Sequence, residues 1–284
     1  MSWITETAAL YDEIKEKVND SDEWEPILPL YHSTGNAQIQ VTIFSDGTFS
    51  HAEVVDADDA KTIIPVTEDS SSRSSGIAPH PLCDKLIYIS GDYSTYVAKA
   101  KSNADEYFVT YIKALKAWAE SEYSDICITA IYDYLSKRML INDLIGDGIL
   151  KLKDAVLDEE YKITKSVKQI DSFVRFVVND LDSGENIKVW KSKVLFDKYI
   201  AYYESLGKKR DCQLCYASGK IVPVTYKHMA RIRNSGDSAK LISSNDESNF
   251  TYRGRFANRE EAFAVGEIVS QKAHLALRWL IKTG

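Results

Sequence analysis

Between Arg231 and Phe256 the chain reads RIRNSGDSAKLISSNDESNFTYRGRF, a run too poor in apolar side chains to contribute a core. Such a segment lies on the surface of whatever fold surrounds it. From Asn234 to Tyr252 it holds five serines, three asparagines and one lysine, and Arg231, Arg233, Arg253 and Arg255 flank it. Short serine and asparagine side chains donate and accept in fixed directions, and arginine presents a planar fork that fits phosphate or the guanine edge. This composition predicts a surface that holds something polar and anionic. The competing reading is a basic face that is simply solvated.

Charge partition sharpens the first reading. The chain of 284 residues carries a net charge of −7, yet residues 207–259 hold eleven Lys/Arg against four Asp/Glu, a local +7. Residues 260–284 are balanced, so the first 206 residues carry −14. Because salt confines surface fields to about 10 Å, a basic island can act despite a distant acidic surface. The composition, with 44% hydrophobic and 27% charged residues, is that of a folded protein long enough for one large or two ordinary domains. No apolar run approaches membrane-spanning length, and the first residues lack a basic-then-apolar signal pattern. Four cysteines suit a reducing compartment better than a disulfide framework. The expectation is a soluble, cytoplasmic protein with no membrane partner.

Periodicity predicts an α+β fold, with an antiparallel β-rich N-terminal part, a helical middle, and a β-hairpin/loop followed by a long C-terminal helix. Apolar positions Ile4, Ala8, Leu10, Tyr11, Ile14 and Val18 predict a helix over residues 3–18. Strands follow at Gln38–Phe44, Thr48–Val55 and Thr62–Val66, the first two joined by the turn Ser45-Asp46-Gly47. Glu68–Gly76, EDSSSRSSG, reads as a low-complexity loop. Helical spacing dominates from Tyr93 to Leu157. Ser172–Val178 and Ile187–Trp190 read as strands around DLDSGEN, Lys191–Leu206 as a helix, Cys215–Tyr226 as a hairpin about Ser218-Gly219, and Arg259–Ile281 as the final helix. Its stripe is Ala262, Val265, Ile268, Val269, Ala276, Trp279 and Leu280. The parts are thus 1–92 (β-rich), 93–206 (mainly helical) and 207–284 (basic hairpin and loop plus helix).

Catalytic motifs are missing. The sequence has no G-x-x-x-x-G-K-S/T, G-x-G-x-x-G, G-x-S-x-G or H-E-x-x-H. The acidic clusters Asp56/Asp58/Asp59, Asp143/Asp147 and Asp180/Asp182/Glu185 sit in turn contexts, where aspartate caps local backbone. Metal-dependent nicking through Asp180 and Asp182 is the remaining enzymatic reading. Cys212-x-x-Cys215 with His228 supplies three of the four ligands of a structural zinc, with His32, His51, His80 or Cys83 as candidate fourths. The alternative is two small thiols beside a hairpin. His274 reads as a packed helix residue. Among the tyrosines, Tyr252, with Phe250, is interleaved with arginine and asparagine and so is a candidate for stacking on bases. In the serine-rich loop, Arg73 with Ser74 and Ser75 forms a second polar grip, and Gly76 lets a ligand approach the backbone closely. The alternative there is a flexible loop.

Two stretches carry a family resemblance. RSSGIAPHPLCDKLIYISGDY (Arg73 to Tyr93), with ILPLYH (Ile27 to His32), is similar to the N-terminal part of the large subunit of subtype I-C CRISPR Cascade complexes, the Cas-eight type, Csd-class family. CYASGKIVPVTYKHMARIRNSGDSAKLISSNDESNFTYRGRF, followed by EAFAVGEIVSQKAHLALRWLI, resembles the same family more strongly. Cys212 departs from the family pattern, which weakens the zinc reading. Family members are longer, so the resemblance implies an N-terminal domain lacking the C-terminal helical part. It implies a non-enzymatic subunit without cofactors, which recognises the protospacer-adjacent motif in double-stranded DNA and helps open the duplex. Its implied partners are the guide crRNA, the other Cascade subunits and a separately recruited helicase-nuclease. A scaffold for subunits or the guide's handle, without motif reading, is the alternative.

In such complexes guide pairing reads sequence while protein reads a short flanking motif and the backbone. Asn234, Ser235, Ser243, Asn245 and Asn249 are then candidates for base edges. Arg231, Arg233, Lys240, Arg253 and Arg255 are candidates for phosphate, with Arg73, Ser74 and Ser75 as a second finger. Phe250 and Tyr252 are candidates for a wedge at the first base step. For Arg255 and Phe256 a packed strand is the opposing reading.

Overall fold

The computed structural model describes residues 2–18, 26–71, 73, 76–207, 212–230, 232–233, 237, 239–242, 256 and 263–283. Its contacts divide into two compact bodies, His32–Tyr203 and Met1–Tyr31 with Glu204–Gly284. The α+β reading holds, with antiparallel pairings near the N-terminus and a long helix at the C-terminal end.

In chain order, the described elements are α1 (Trp3–Val18), β1 (His32–Asn36), β2 (Ile39–Phe44), β3 (Phe49–Val54), β4 (Lys61–Pro65), α2 (Glu68–Ser71), α3 (Leu86–Ile89), α4 (Tyr93–Tyr96), α5 (Ala104–Ala119) and α6 (Ile126–Ser136). They continue with α7 (Leu140–Gly146), β5 (Leu152–Lys153), β6 (Val156–Leu157), β7 (Val174–Asn179), β8 (Asn186–Lys188), α8 (Lys193–Gly207), β9 (Cys212–Leu214), β10 (Ile221–Thr225), β11 (Val265–Gly266) and α9 (Glu267–Thr283).

The first body is organised by a four-stranded sheet in the order β3-β2-β7-β8. The β2–β3 pair is the antiparallel hairpin that Ser45-Asp46-Gly47 predicts. Gly47 turns with φ +76°, and a Cβ there would lie 2.9 Å from Asp133 Cβ on α6, so only glycine fits beneath that helix. Beyond β2 the sheet departs from an antiparallel arrangement, because β2 pairs in parallel with β7 (Ile39↔Val174 to Phe44↔Asn179). These two central strands are buried on both faces, as parallel neighbours usually are. The third predicted strand forms at β4 but pairs with β1 (His32↔Pro65), a strand too short and polar to announce itself by alternation. The span from Tyr93 to Leu157 resolves into α4, α5, α6, α7 and the small β5–β6 hairpin, since turns at 120–125 and 137–139 interrupt the helical spacing.

One face of the central strands is aliphatic: Ile39, Val41 and Ile43 beside Val174, Phe176 and Val178. The other face holds a buried cation. Arg175 donates from Nε to Gln40 Oε1 at 3.0 Å and from its terminal nitrogens to the Asp59 carbonyl and carboxylate, at 2.6 and 2.5 Å. Its guanidinium carbon lies 3.8 Å from the Trp190 ring centroid. Each of the three guanidinium nitrogens thus donates at least one hydrogen bond and the ring of Trp190 covers one face, which offsets the desolvation of a buried charge.

The second body packs α1 against α9. Tyr11, Ile14 and Ile27 meet Leu275 and Ala276, while Ile4 and Ala8 meet Ala273, Val265 and Cys215. The hairpin β9–β10, turning at Gly219 with φ +68°, extends to β11 as a three-stranded sheet. The helix expected from Arg259 instead begins at Glu267, because Val265 and Gly266 pair with Thr225 and Val224. Residues 257–262, including Ala262, lie outside the described residues. The buried face of α9 is Ser270, Ala273, His274, Leu275 and Ala276, whereas Ile268 and Leu280 of the expected stripe are exposed. No described helix is long and apolar enough to cross a membrane.

Replacing Arg175 by Met removes the fork and leaves Gln40 Oε1 and the Asp59 carbonyl without their donor. The expected loss is about 2–4 kcal/mol in urea unfolding. Asp59→Ala, at a half-exposed position, costs less.

Candidate nucleic-acid interface

The two sequence-predicted grips fall one in each body. In the first body Arg73 does not face solvent. Its guanidinium donates to Asp84 Oδ2 at 2.8 Å and Oδ1 at 2.5 Å, and to the Ala78 carbonyl at 2.9 Å. It also lies over the Tyr88 ring, 4.5 Å from the centroid. Asp84, 0% exposed, further accepts the amide hydrogens of His80 and Lys85 at 2.8 and 2.7 Å. Burial opposes the charge on Arg73, but the contacts with Asp84 outweigh it and raise the guanidinium's pKa. The Arg73 fork is therefore committed within the protein; its role is to fold the loop 73–84 over the sheet. Ser74 and Ser75 lie outside the described residues.

The loop is sewn to β7 at its far end. Val174 donates to the Asp84 carbonyl and Leu86 to the Ser172 carbonyl, both at 3.0 Å, and Tyr111 Oη donates to the Leu82 carbonyl at 2.8 Å. Cys83 is wholly buried, which pushes its thiol up to about 12 and makes it inert. The start of the serine-rich segment is a helical turn, not loop: Ser70 is buried and bonds reciprocally with Thr67.

In the second body the described part of the basic segment is anchored at both ends. Ile232 is buried, Ile242 packs against the cluster of Cys215 and Val265, and Ala230 bridges Lys240. Between them Arg233 pairs with Asp237 at 2.7 Å, and Asp237 also accepts from the Ala239 amide at 3.0 Å. Arg233 remains exposed, so this pair is a surface clasp of small energetic weight. Arg231, Asn234, Ser235, Ser243, Asn245, Asn249, Phe250, Tyr252, Arg253 and Arg255 lie outside the described residues.

The putting together of Cys212, Cys215 and His228 around zinc is not what the structure shows. Cys215 Sγ accepts from the Ser218 and Gly266 amides at 3.3 and 3.1 Å, while Cys212 is exposed on β9. Burial acts to raise the Cys215 pKa, but these donors outweigh it and lower it. His228 Nδ1 bonds Ser270 Oγ at 2.8 Å. Among the described residues no three His, Cys, Asp or Glu side chains converge as a metal site. The acidic clusters are likewise occupied: Asp59 by Arg175, Asp143 by the Tyr134 hydroxyl, Asp147 by the Ala52 amide, and Asp180 by Ser183 and the Asp182 amide.

Sequence reasoning missed the polar centre under this segment. His228 and His274 stack with centroids 6.0 Å apart around Ser270, flanked by Phe263 and Trp3. Among the described residues neither Nε2 has a hydrogen-bond partner. Burial, then the neighbouring His274 and Lys240, depress the His228 pKa to about 4, and burial depresses that of His274. The i, i+4 spacing of Ser270 and His274 was the only available signal, and His228 is remote in sequence.

The chain matches the family described as CRISPR-associated protein (Cas_Csd1) over residues 9–284. No protein with a curated description matches it. By this match the chain is a CRISPR-associated protein. The chain belongs to the Csd1 family, in agreement with the resemblance drawn from Arg73–Tyr93 and Cys215–Phe256.

Two outcomes follow. Asp84→Asn leaves the Arg73 charge half buried without its counter-ion; a loss of about 2–4 kcal/mol in chemical denaturation is expected. His228 must be neutral in the fold, so its contribution is complete above the unfolded value near 6.5 and is lost as the pH falls from there toward 4. Melting curves between pH 7 and pH 4 should show a decline on the order of 3 kcal/mol from this group, reduced in His228→Asn.

Proposed function

We propose that this chain is the large subunit of a subtype I-C RNA-guided complex, which recognises the protospacer-adjacent motif in double-stranded DNA and helps open the duplex. One observation carries this reading: within a CRISPR-associated family, a chain of net −7 concentrates +7 in residues 207–259. The burial of Ile232, the packing of Ile242 and the Ala230–Lys240 bridge support it, because a reading surface has to be positioned by a rigid scaffold.

In this reading Arg231, Arg233, Lys240, Arg253 and Arg255 hold phosphate, and the asparagines and serines between them meet base edges. Arg73, Ser74 and Ser75 form a second finger on the DNA in this reading, with the Arg73 guanidinium held by Asp84. The subunit is non-catalytic. Guide crRNA and neighbouring Cascade subunits are its partners in assembly, and a helicase-nuclease is recruited afterwards to cut.

The assembled complex carrying Lys240→Ala should bind target DNA more weakly and lose about 0.9 from the slope of log affinity against log salt if one phosphate contact is removed. Asn245→Ala should relax the preference for the flanking motif, at about 1–3 kcal/mol, while the guide match is held fixed. Motif preference unchanged in both variants, with normal assembly, would instead support the scaffold reading.

A further inference from the structure

In the first body a cleft of about 470 Å³ opens beside the Arg73–Asp84 loop. That volume is suited to a single small molecule. Its floor is aromatic. Tyr88, Tyr93 and Tyr107 are largely buried, and Tyr88 and Tyr107 meet edge to face with centroids 4.8 Å apart. Tyr88 is held by Arg73, which lies over its ring, also lines the cleft and is itself paired with Asp84.

The rim carries charges of both signs. Beside Tyr107 stands Lys101, whose Nζ lies 3.4 Å from the Tyr107 hydroxyl and 5.4 Å from its ring centroid. Lys85 is exposed at the cleft and has no ion-pair partner among the described residues. Beside Tyr93 stand Glu159 and Asp171; burial first, then these two carboxylates, push the Tyr93 hydroxyl up to about 12. Lys99, 85% exposed in its side chain, reaches Glu159 only at 3.7 Å, a weak surface contact.

A ligand complementary to this arrangement has a flat face for the floor, an anionic group for Lys85 and Lys101, and hydrogen-bond donors for Glu159 and Asp171. An isolated inorganic anion meets only one of these demands, and the carboxylates disfavour it. A nucleotide meets all three, through base, phosphate, and ribose hydroxyls or exocyclic amines. We propose that this cleft is a binding site for one nucleotide, held by Lys85 and Lys101 at phosphate and by Glu159 and Asp171 at sugar or base donors. The nucleotide is either free or the phosphorylated end of a strand; the recognising chemistry is the same. This site is distinct from the basic segment of residues 207–259 and does not depend on the DNA-reading proposal.

Calorimetric titration of the chain with a panel of nucleoside 5′-monophosphates tests it, with inorganic phosphate and the corresponding nucleosides as controls. At least one monophosphate should bind, and more tightly than either control. Lys85→Ala and Lys101→Ala, both at exposed positions, should each weaken that binding about tenfold with an unchanged circular dichroism spectrum. Lys113→Ala, on an exposed part of α5 away from the cleft, should not. Asp171→Asn should weaken a nucleotide while leaving phosphate unaffected. Competition with a short 5′-phosphorylated oligonucleotide and its unphosphorylated form separates the sources: displacement by the phosphorylated form alone identifies a strand end, and displacement by neither identifies a free nucleotide. No monophosphate binding, binding no tighter than inorganic phosphate, or affinity insensitive to Lys85 and Lys101 overturns the proposal. None of these results bears on motif preference in the assembled complex, which is read separately.

Discussion

A single fully buried carboxylate, Asp84, holds together the most irregular part of the first body. It neutralises Arg73, accepts two backbone amides, and its own carbonyl receives Val174 of β7. A buried carboxylate is tolerated only when its lone pairs are met, and here four donors meet them. The same pair fixes Tyr88 and so the floor of the adjoining cleft. The position of Tyr88 and the packing of residues 78–85 therefore depend on one ion pair.

Arg175 repeats this arrangement on the opposite side of the sheet's logic. A cation between two central strands would be costly, yet Gln40, Asp59 and Trp190 enclose it. In the second body the buried polar centre is different, because His228 and His274 stay neutral and each leaves one ring nitrogen unpaired. This core tolerates cations poorly. Lys240 already acts on His228 through space, so the charge that suits an anionic partner works against the histidine beneath.

Much of the architecture was legible from periodicity. The helix over residues 3–18, the β2–β3 hairpin, α8 and the hairpin about Gly219 form where spacing and turn residues place them. What periodicity did not convey is pairing at a distance: β2 beside β7, and β1 beside β4. The final helix was extended too far toward the N-terminus because Val265 and Gly266 read equally as helix or strand, and only Thr225 and Val224 as neighbours decide it. The zinc reading failed for a similar reason: proximity in sequence put Cys212 and Cys215 together, but they face different surroundings.

By itself, the sequence determined the fold class, the family and the location of the cationic segment, because these follow from local pattern, motif and charge count. Tertiary structure decided which charges are available. Arg73 appears in the sequence as one more exposed arginine in a serine-rich run; folding turns it inward onto Asp84, eleven residues away. Lys101, Glu159 and Asp171 carry no motif, Lys85 is one residue of a longer family-like stretch, and only packing α3 and α5 beside residues 159–171 brings the four around three tyrosines. A charge count is a property of the chain, whereas the partner of each charge is set by contacts between residues far apart in sequence.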